Sequence, residues 1–507
     1  MSYKPVVLVI MDGVGIAPDN AGNAFALAAK PNLEKISRSH PGTALHASSM
    51  AVGLPWGEFG SSEVGHTNIG AGFVIYQNYP RISLAIQNKS FFKMPVWQEA
   101  MVHAKKNNSD IHLMGLLTNV GIHAHIDHLN ALIETFKKFK RRVFLHLFTD
   151  GEDSPPRSAV KLLEKLEGAQ IATVIGRNYA MDRNNRTEFT NAAYECLVKN
   201  TGEKAASAEE VVQNAYNKNL GDEAIVPTTI TDKNGQPLAA IKEKDVLIFF
   251  NFRSDRVRQL AELFLPWKDL FFVTLTQYKD DWSARVAFPR QQIANPLSKV
   301  LSDNQRTQLK IAESEKSAHI TYFLNGGVEK PFPNEERIIV PSSGGDYTTN
   351  PEMSALQITE TVVKQIDEKK YDFIAINFAN GDMLGHTGNI PGTVKAISFL
   401  DECIGKIYEK IKEVNGAMVI TADHGNAEEL INISNGEVDK EHSTNPVPCW
   451  IVIPKNENFQ EGERTKEIQP GGVLADITPT TLELLGLPKP PEMEGSSLVG
   501  VNSRLIV

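Results

Sequence analysis

Val6-Val7-Leu8-Val9-Ile10-Met11-Asp12-Gly13 is the stretch from which the fold can be read. An unbroken apolar run, rich in β-branched residues, stops at an acid and a glycine. A run of that kind, without polar alternation, suits a strand buried on both faces of a helix-covered parallel sheet. The pattern recurs at 111–117 before Thr118-Asn119, at 143–148 before Thr149-Asp150-Gly151 and at 171–175 before Gly176-Arg177. It appears again at 246–250 before Asn251, at 271–275 before Thr276, at 373–378 before Ala379-Asn380 and at 418–421 before Ala422-Asp423. Helical patterns follow these runs, so the predicted fold class is α/β.

The 507 residues are enough for about two to four domains with large cores. Hydrophobic residues at 41% exclude a disordered chain. Lys and Arg number 52 against 61 Asp and Glu, and the net charge of −9 argues against a nucleic-acid partner. No apolar stretch approaches the roughly 18–20 residues of a membrane span, and no targeting segment is read. The three cysteines, Cys196, Cys403 and Cys449, are far apart and odd in number, which fits a reducing cytoplasm rather than a disulfide framework.

In open α/β sheets, ligands bind beyond the carboxyl ends of the strands. The acids and histidines found there are Asp12, then Asp382 with His386, then Asp423 with His424. They lie at the two extremes of the chain, so a single site needs one domain built from both ends with a second domain inserted. The expected boundaries are 1–76 and 298–507 for the outer domain and 77–297 for the insert. His442 lies in the polar loop Glu441-His442-Ser443-Thr444-Asn445-Pro446. Carboxylate and imidazole ligands without thiolate suit Mn²⁺ or Zn²⁺ in a working site rather than a structural zinc.

Ser62, in Gly60-Ser61-Ser62-Glu63-Val64-Gly65-His66, stands before a predicted helix. It reads either as an N-cap or as a nucleophile that a neighbouring metal site activates. Arg253 and Arg256 follow a strand, and Arg183 and Arg186 share another loop; such pairs bind phosphate or carboxylate through bidentate hydrogen bonds. Lys316, in Glu313-Ser314-Glu315-Lys316, reads locally as a surface lysine. His123-Ala124-His125-Ile126-Asp127-His128 has a spacing that permits chelation, but no thiol or fourth ligand accompanies it. Lys137-Lys138-Phe139-Lys140-Arg141-Arg142 reads as a helix end and a solvated loop.

The order of the motifs adds a resemblance. Met11-Asp12-Gly13, Ser62-Glu63-Val64-Gly65-His66-Thr67-Asn68-Ile69-Gly70-Ala71-Gly72, Ala180-Met181-Asp182-Arg183 and Phe250-Asn251-Phe252-Arg253 come first. Asp382-Met383-Leu384-Gly385-His386-Thr387-Gly388, Ala422-Asp423-His424-Gly425-Asn426-Ala427-Glu428 and His442-Ser443-Thr444-Asn445-Pro446 follow. Over essentially the whole chain they resemble the motifs of cofactor-independent phosphoglycerate mutases, which belong with alkaline-phosphatase-like metalloenzymes. The resemblance implies an alkaline-phosphatase-like discontinuous domain with a second α/β domain inserted. It implies two Mn²⁺ ions, or other divalent metals, and no 2,3-bisphosphoglycerate. One metal is expected at Asp382, His386 and His442, and the other at Asp12, Ser62, Asp423 and His424. His123, Asp153, Arg183 and Arg186 are expected to hold the glycerate part, and Arg253, Arg256 and Lys316 the phosphoryl group. Ser62 is expected to carry that group between the two oxygens of phosphoglycerate. The partner is then a small phosphate ester, with no nucleic acid or membrane, and the protein a cytoplasmic monomer.

Three departures from the family pattern fall in the insert. Glu152 stands where the family usually has an arginine, in Asp150-Gly151-Glu152-Asp153. Phe189 takes the place of a second arginine, and Asn119-Val120 stands where Asp-Gly is usual. They leave open a relative acting on another phosphorylated small molecule as an alternative.

Overall fold

Val6–Met11 is a strand in which every residue is buried, and it lies inside an eight-stranded sheet. The sheet runs Glu335–Val340, Gln308–Glu313, Phe373–Phe378, Val6–Met11, Ala417–Thr421, Val447–Val452, Gly42–His46 and Pro470–Val473. The first five strands are mutually parallel, so their carboxyl ends share one edge. Val447–Val452 is antiparallel to both its neighbours. The computed structural model describes residues 2–137, 139, 141–166, 168–184, 186–342, 344–432, 434–453, 470–501, 503 and 505.

The chain forms two compact units, Met1–Tyr76 with Gln292–Val507, and Gln77–Gln291. Residues 292–297 therefore go with the outer unit. The reason is local: Leu297–Asp303 is a helix whose Leu297, Val300 and Leu301 belong to the outer core.

The insert has its own eight-stranded sheet. Its order is Arg285–Phe288, Phe271–Thr276, Val246–Phe249, Ile111–Leu117, Val143–Thr149, Gln170–Gly176, Thr228–Ile230 and Glu203–Ala205. The first six strands are parallel. The fold class is therefore α/β in both units. The strands whose apolar runs were continuous fall where the sequence placed them, within a residue or two. Gln308–Glu313 was not anticipated, because Gln308, Lys310 and Glu313 interrupt its apolar residues. All three are nevertheless buried; Gln308 donates to the Ser298 carbonyl, and Lys310 bonds Asn325.

The basic run behaves as read. Helix Ile126–Lys137 ends at its first lysine, Arg142 pairs with Asp110 on the surface, and Lys138 and Lys140 lie outside the described residues. Among the described residues, no helix is long and apolar enough to cross a membrane.

Candidate active site

The carboxyl edge of the outer sheet gathers side chains from distant parts of the sequence. Asp12 follows Val6–Met11, and Asp423 and His424 follow Ala417–Thr421. Asp382 lies in helix Asn380–Gly385, and His386 caps that helix. Lys316 lies in a single turn after Gln308–Glu313. Gly13 allows this crowding: its φ is +73°, and a Cβ there would come within 2.6 Å of the Asp382 Cα.

Ser62 is the first residue of helix Ser62–Ala71, and Ser61 is the N-cap, accepting from Val64 N at 3.3 Å. The capping reading of Ser62 is thereby corrected: its neighbour satisfies the helix end and leaves the Ser62 hydroxyl for the site. At Gly65 a Cβ would come within 2.4 Å of the Asp423 carbonyl oxygen, so glycine lets this helix lie against the strand end.

Ser62 Oγ lies 3.1 Å from Asp12 Oδ1 and 2.9 Å from His424 Nε2. Lys316 Nζ donates to Asp12 Oδ1 at 2.6 Å, to Ser62 Oγ at 2.7 Å and to Asp382 Oδ2 at 2.7 Å. Lys316 is 4% exposed, which corrects the reading of it as a surface lysine. Burial alone would lower its pKa, but Asp12, Asp382 and Asp423 outweigh that and hold it above the ordinary lysine value.

The donor set fits divalent metal. Asp12, Asp423 and His424 offer ligand atoms within 4.8 Å of one another, and so do Asp382, His424 and His442. His386 Nε2 lies 3.2 Å from Asp382 Oδ1 and 3.1 Å from His442 Nε2. Each ring turns Nδ1 to a backbone carbonyl: His386 to Lys440 at 2.8 Å, His442 to Gly60 at 2.8 Å and His424 to Gly425 at 3.2 Å. A carbonyl can only accept, so Nδ1 keeps its proton and each Nε2 can present a lone pair to the site. Asp423 Oδ2 is buried, with His66 Nδ1 3.1 Å away. Burial would lower the His424 pKa, but Asp423, Asp12 and Asp382 raise it to about 10. The negative field that retains a proton there is the field that attracts a metal ion in its place.

In the insert, His123, Asp153, Arg253 and Arg256 lie in a second charged cluster around Asp255 and Arg177, and Arg186 stands apart on Asp182. His123 is buried, with Nε2 3.7 Å from Asp153 Oδ2 and Nδ1 3.7 Å from Asp255 Oδ1. Asp255 also pairs with Arg253 at 3.2 Å and Arg256 at 3.6 Å. Arg183 is largely exposed, whereas Arg186 is held by Asp182 at 2.6 Å. Phe189 stacks on Tyr179 with centroids 4.7 Å apart, and the Arg186 guanidinium lies 3.9 Å from its ring centre. His125 and His128 do not share a ligand position with His123: His128 bonds Ser83, and His125 faces Asp127. Among the described residues, the metal-capable groups all belong to the outer unit.

Known proteins bear on this arrangement. Residues 4–489 match the model of the Metalloenzyme superfamily. The chain is 47% identical to the 2,3-bisphosphoglycerate-independent phosphoglycerate mutase of Clostridium beijerinckii, covering 98% of this chain and 99% of the relative. It is 46% identical to the protein of that name from Clostridioides difficile, covering 98% and 100%. The chain belongs to the 2,3-bisphosphoglycerate-independent phosphoglycerate mutase family. A solved phosphoglycerate mutase of Leishmania mexicana superimposes with a TM-score of 0.53 at 27% identity, covering 98% of each chain. Membership in a metalloenzyme family carries divalent-metal binding with it.

Three further residues were not singled out from sequence as site candidates. Asn377 donates to Asp12 Oδ2 at 2.7 Å and lies 3.0 Å from His66 Nε2. The signal was there: it is the one polar residue in the apolar strand Phe373–Phe378. Glu428 accepts from Gly15 N at 2.8 Å, Asn426 N at 2.9 Å and Asn445 Nδ2 at 3.1 Å, and it also bonds Ser443. It thereby ties together the three segments that carry Asp12, Asp423 and His442. Arg177, the first residue after Gln170–Gly176, is buried and pairs with Asp150, Asp153 and Glu152.

Proposed function

We propose that this chain interconverts 3-phosphoglycerate and 2-phosphoglycerate, in glycolysis and gluconeogenesis, through a phosphoserine on Ser62. The observation that carries the reading is the position of Ser62 Oγ. It lies within hydrogen-bond reach of Asp12, His424 and Lys316 in a site whose carboxylates outnumber its fixed cations.

Two Mn²⁺ ions are the proposed metals, one held by Asp382, His386 and His442 and the other by Asp12, Ser62, Asp423 and His424. Mixed oxygen and imidazole donors without thiolate support that choice. When bound, such ions lower the pKa of a serine hydroxyl and offset charge on phosphoryl oxygens. The protein's own groups do the rest. Asp12 Oδ1 is placed to accept the Ser62 hydroxyl proton, and Lys316 Nζ donates both to that carboxylate oxygen and to Ser62 Oγ. Ser62 Oγ forms a bond to phosphorus as the ester oxygen of 3-phosphoglycerate leaves and takes a proton. The neighbouring hydroxyl of the retained glycerate then attacks the same phosphorus and frees Ser62. The insert is assigned the glycerate, through His123, Asp153, Arg183 and Arg186. Arg253, Arg256 and Lys316 are assigned the phosphoryl group.

We read the protein as a cytoplasmic monomer acting on a small phosphate ester, without nucleic acid or membrane. The net charge of −9 and three scattered cysteines support that setting. Action on a different ester, which Glu152 and Phe189 left open, is not favoured by full-length relatives at 45–47% identity that bear the mutase name. The test is a coupled assay with Mn²⁺ and 3-phosphoglycerate that follows 2-phosphoglycerate and free phosphate together. Conversion without added 2,3-bisphosphoglycerate and with little phosphate release is expected. Phosphate release without 2-phosphoglycerate would contradict the reading.

A further inference from the structure

Arg177 is a buried guanidinium with three carboxylates around it, and they are not held equally. Asp150 is fixed: Oδ2 accepts from Thr118 Oγ1 at 2.7 Å, and Oδ1 accepts from Asp153 N at 3.1 Å and from Arg177. Asp153 Oδ2 takes Arg177 Nη1 at 2.7 Å and faces His123. Glu152 is held more loosely. Its side chain is 47% exposed, it lies 3.3 Å from Arg177 Nε, and its other oxygen is 3.9 Å from Nη1 of the exposed Arg183. Two anchored acids already balance Arg177, so the third adds negative charge at the mouth of the cluster. Glu152 also stands at the edge of Arg177 and beside the exposed fork of Arg183, where a ligand carboxylate would make charge-assisted bonds.

We propose that Glu152 is an internal competitor for the acid group of the insert's ligand and sets how tightly this chain holds a small hydroxy acid. The inference rests on the reading of that ligand as glycerate. A bound carboxylate must displace Glu152 from both arginines. The new contacts then replace existing ones instead of adding to them, and affinity falls without the guanidiniums being lost. A ligand with no carboxylate pays no such penalty.

The test is calorimetric titration of metal-loaded, full-length wild type, Glu152→Gln and Glu152→Ala with D-glycerate, and separately with glycerol 3-phosphate. Glu152→Gln keeps the shape and removes the charge. Both variants should bind D-glycerate about tenfold more tightly, while glycerol 3-phosphate should bind all three proteins alike. In turnover, KM for 3-phosphoglycerate should fall in Glu152→Gln. Unchanged or weaker D-glycerate binding in both variants would overturn the proposal, since a structural clip on Arg177 loosens the site when removed. An equal gain for glycerol 3-phosphate would also overturn it, because the effect would then be general charge. The outcome is separable from the proposed activity. Tighter D-glycerate binding in variants of a protein that shows no mutase turnover would uphold the role of Glu152 and reject the reaction, and normal turnover with no gain in binding would do the reverse.

Discussion

At the carboxyl edge of the outer sheet, Asp12, Asp382 and Asp423 are buried around one ammonium, that of Lys316. At the corresponding edge of the insert's sheet, Arg177, Arg183, Arg253 and Arg256 are each already matched by a carboxylate from Asp150, Glu152, Asp153 or Asp255. The same strand-end address thus has opposite charge balances. The outer cluster sets three buried carboxylates against one lysine, an excess of negative charge that is costly to bury, so it is built to take cations. The insert cluster is self-neutralised, so its ligand enters by exchange. One unit gains stability from binding metal, while the other tunes affinity by what must be displaced.

Removing the nucleophile breaks the outer half most severely. Ser62→Ala should reduce phosphoryl transfer by at least about 10³-fold, while metal analysis finds the ions largely retained, because the carboxylate and imidazole donors remain. Removing a ligand acts on the other quantity. His442→Ala should lose one of the two metals, with activity down by about 10²-fold or more; an unchanged metal-to-protein ratio would remove His442 from the ligand set. Glu428 touches no reacting atom in this account, so Glu428→Gln should act more gently. Freeing the segments it ties should weaken metal affinity by about tenfold, seen in a metal titration, with kcat at saturating metal changing less. Equal loss of kcat at saturating metal would mean that Glu428 does more than position ligands.

How much of this was legible follows from what the sequence can express. Asp12 was readable because a strand buried on both faces leaves an unbroken apolar run, and the first polar residue after it marks the ligand end. Lys316 was misread locally because its neighbours Glu313, Ser314 and Glu315 look like solvent-facing chain. Its partners lie 304, 254 and 66 residues away, and only the folded sheet brings them together. Ser61 and Ser62 are alike as letters, and backbone geometry decides which one caps the helix. Arg177 escaped because a lone arginine after a strand has no spacing signal, whereas the pairs 183/186 and 253/256 do. In the structure Arg186 is held by Asp182 and lies over Phe189, while Arg177, which has no arginine neighbour in sequence, sits at the centre of the acids.

A smaller effect sharpens the contrast through pH. The hydrogen bond from His386 to Asp382, working against burial, raises the His386 pKa above its ordinary value. A metal must displace that proton, so Mn²⁺ affinity should begin to fall above the usual imidazole range and keep falling towards about pH 6. Titrations of free Mn²⁺ at successive pH values check this, and an affinity that stays flat over that interval would contradict it.

The most direct measurement is of Ser62 itself. Mn²⁺-loaded enzyme should be mixed with 3-phosphoglycerate, quenched in acid during turnover and digested, and the peptide containing Ser62 examined by mass spectrometry. The account predicts one phosphoryl group on Ser62, appearing before the steady state, and none on the same peptide from Ser62→Ala. Turnover at full rate with no phosphate on Ser62 at any quench time, or phosphate on a different residue, would contradict it.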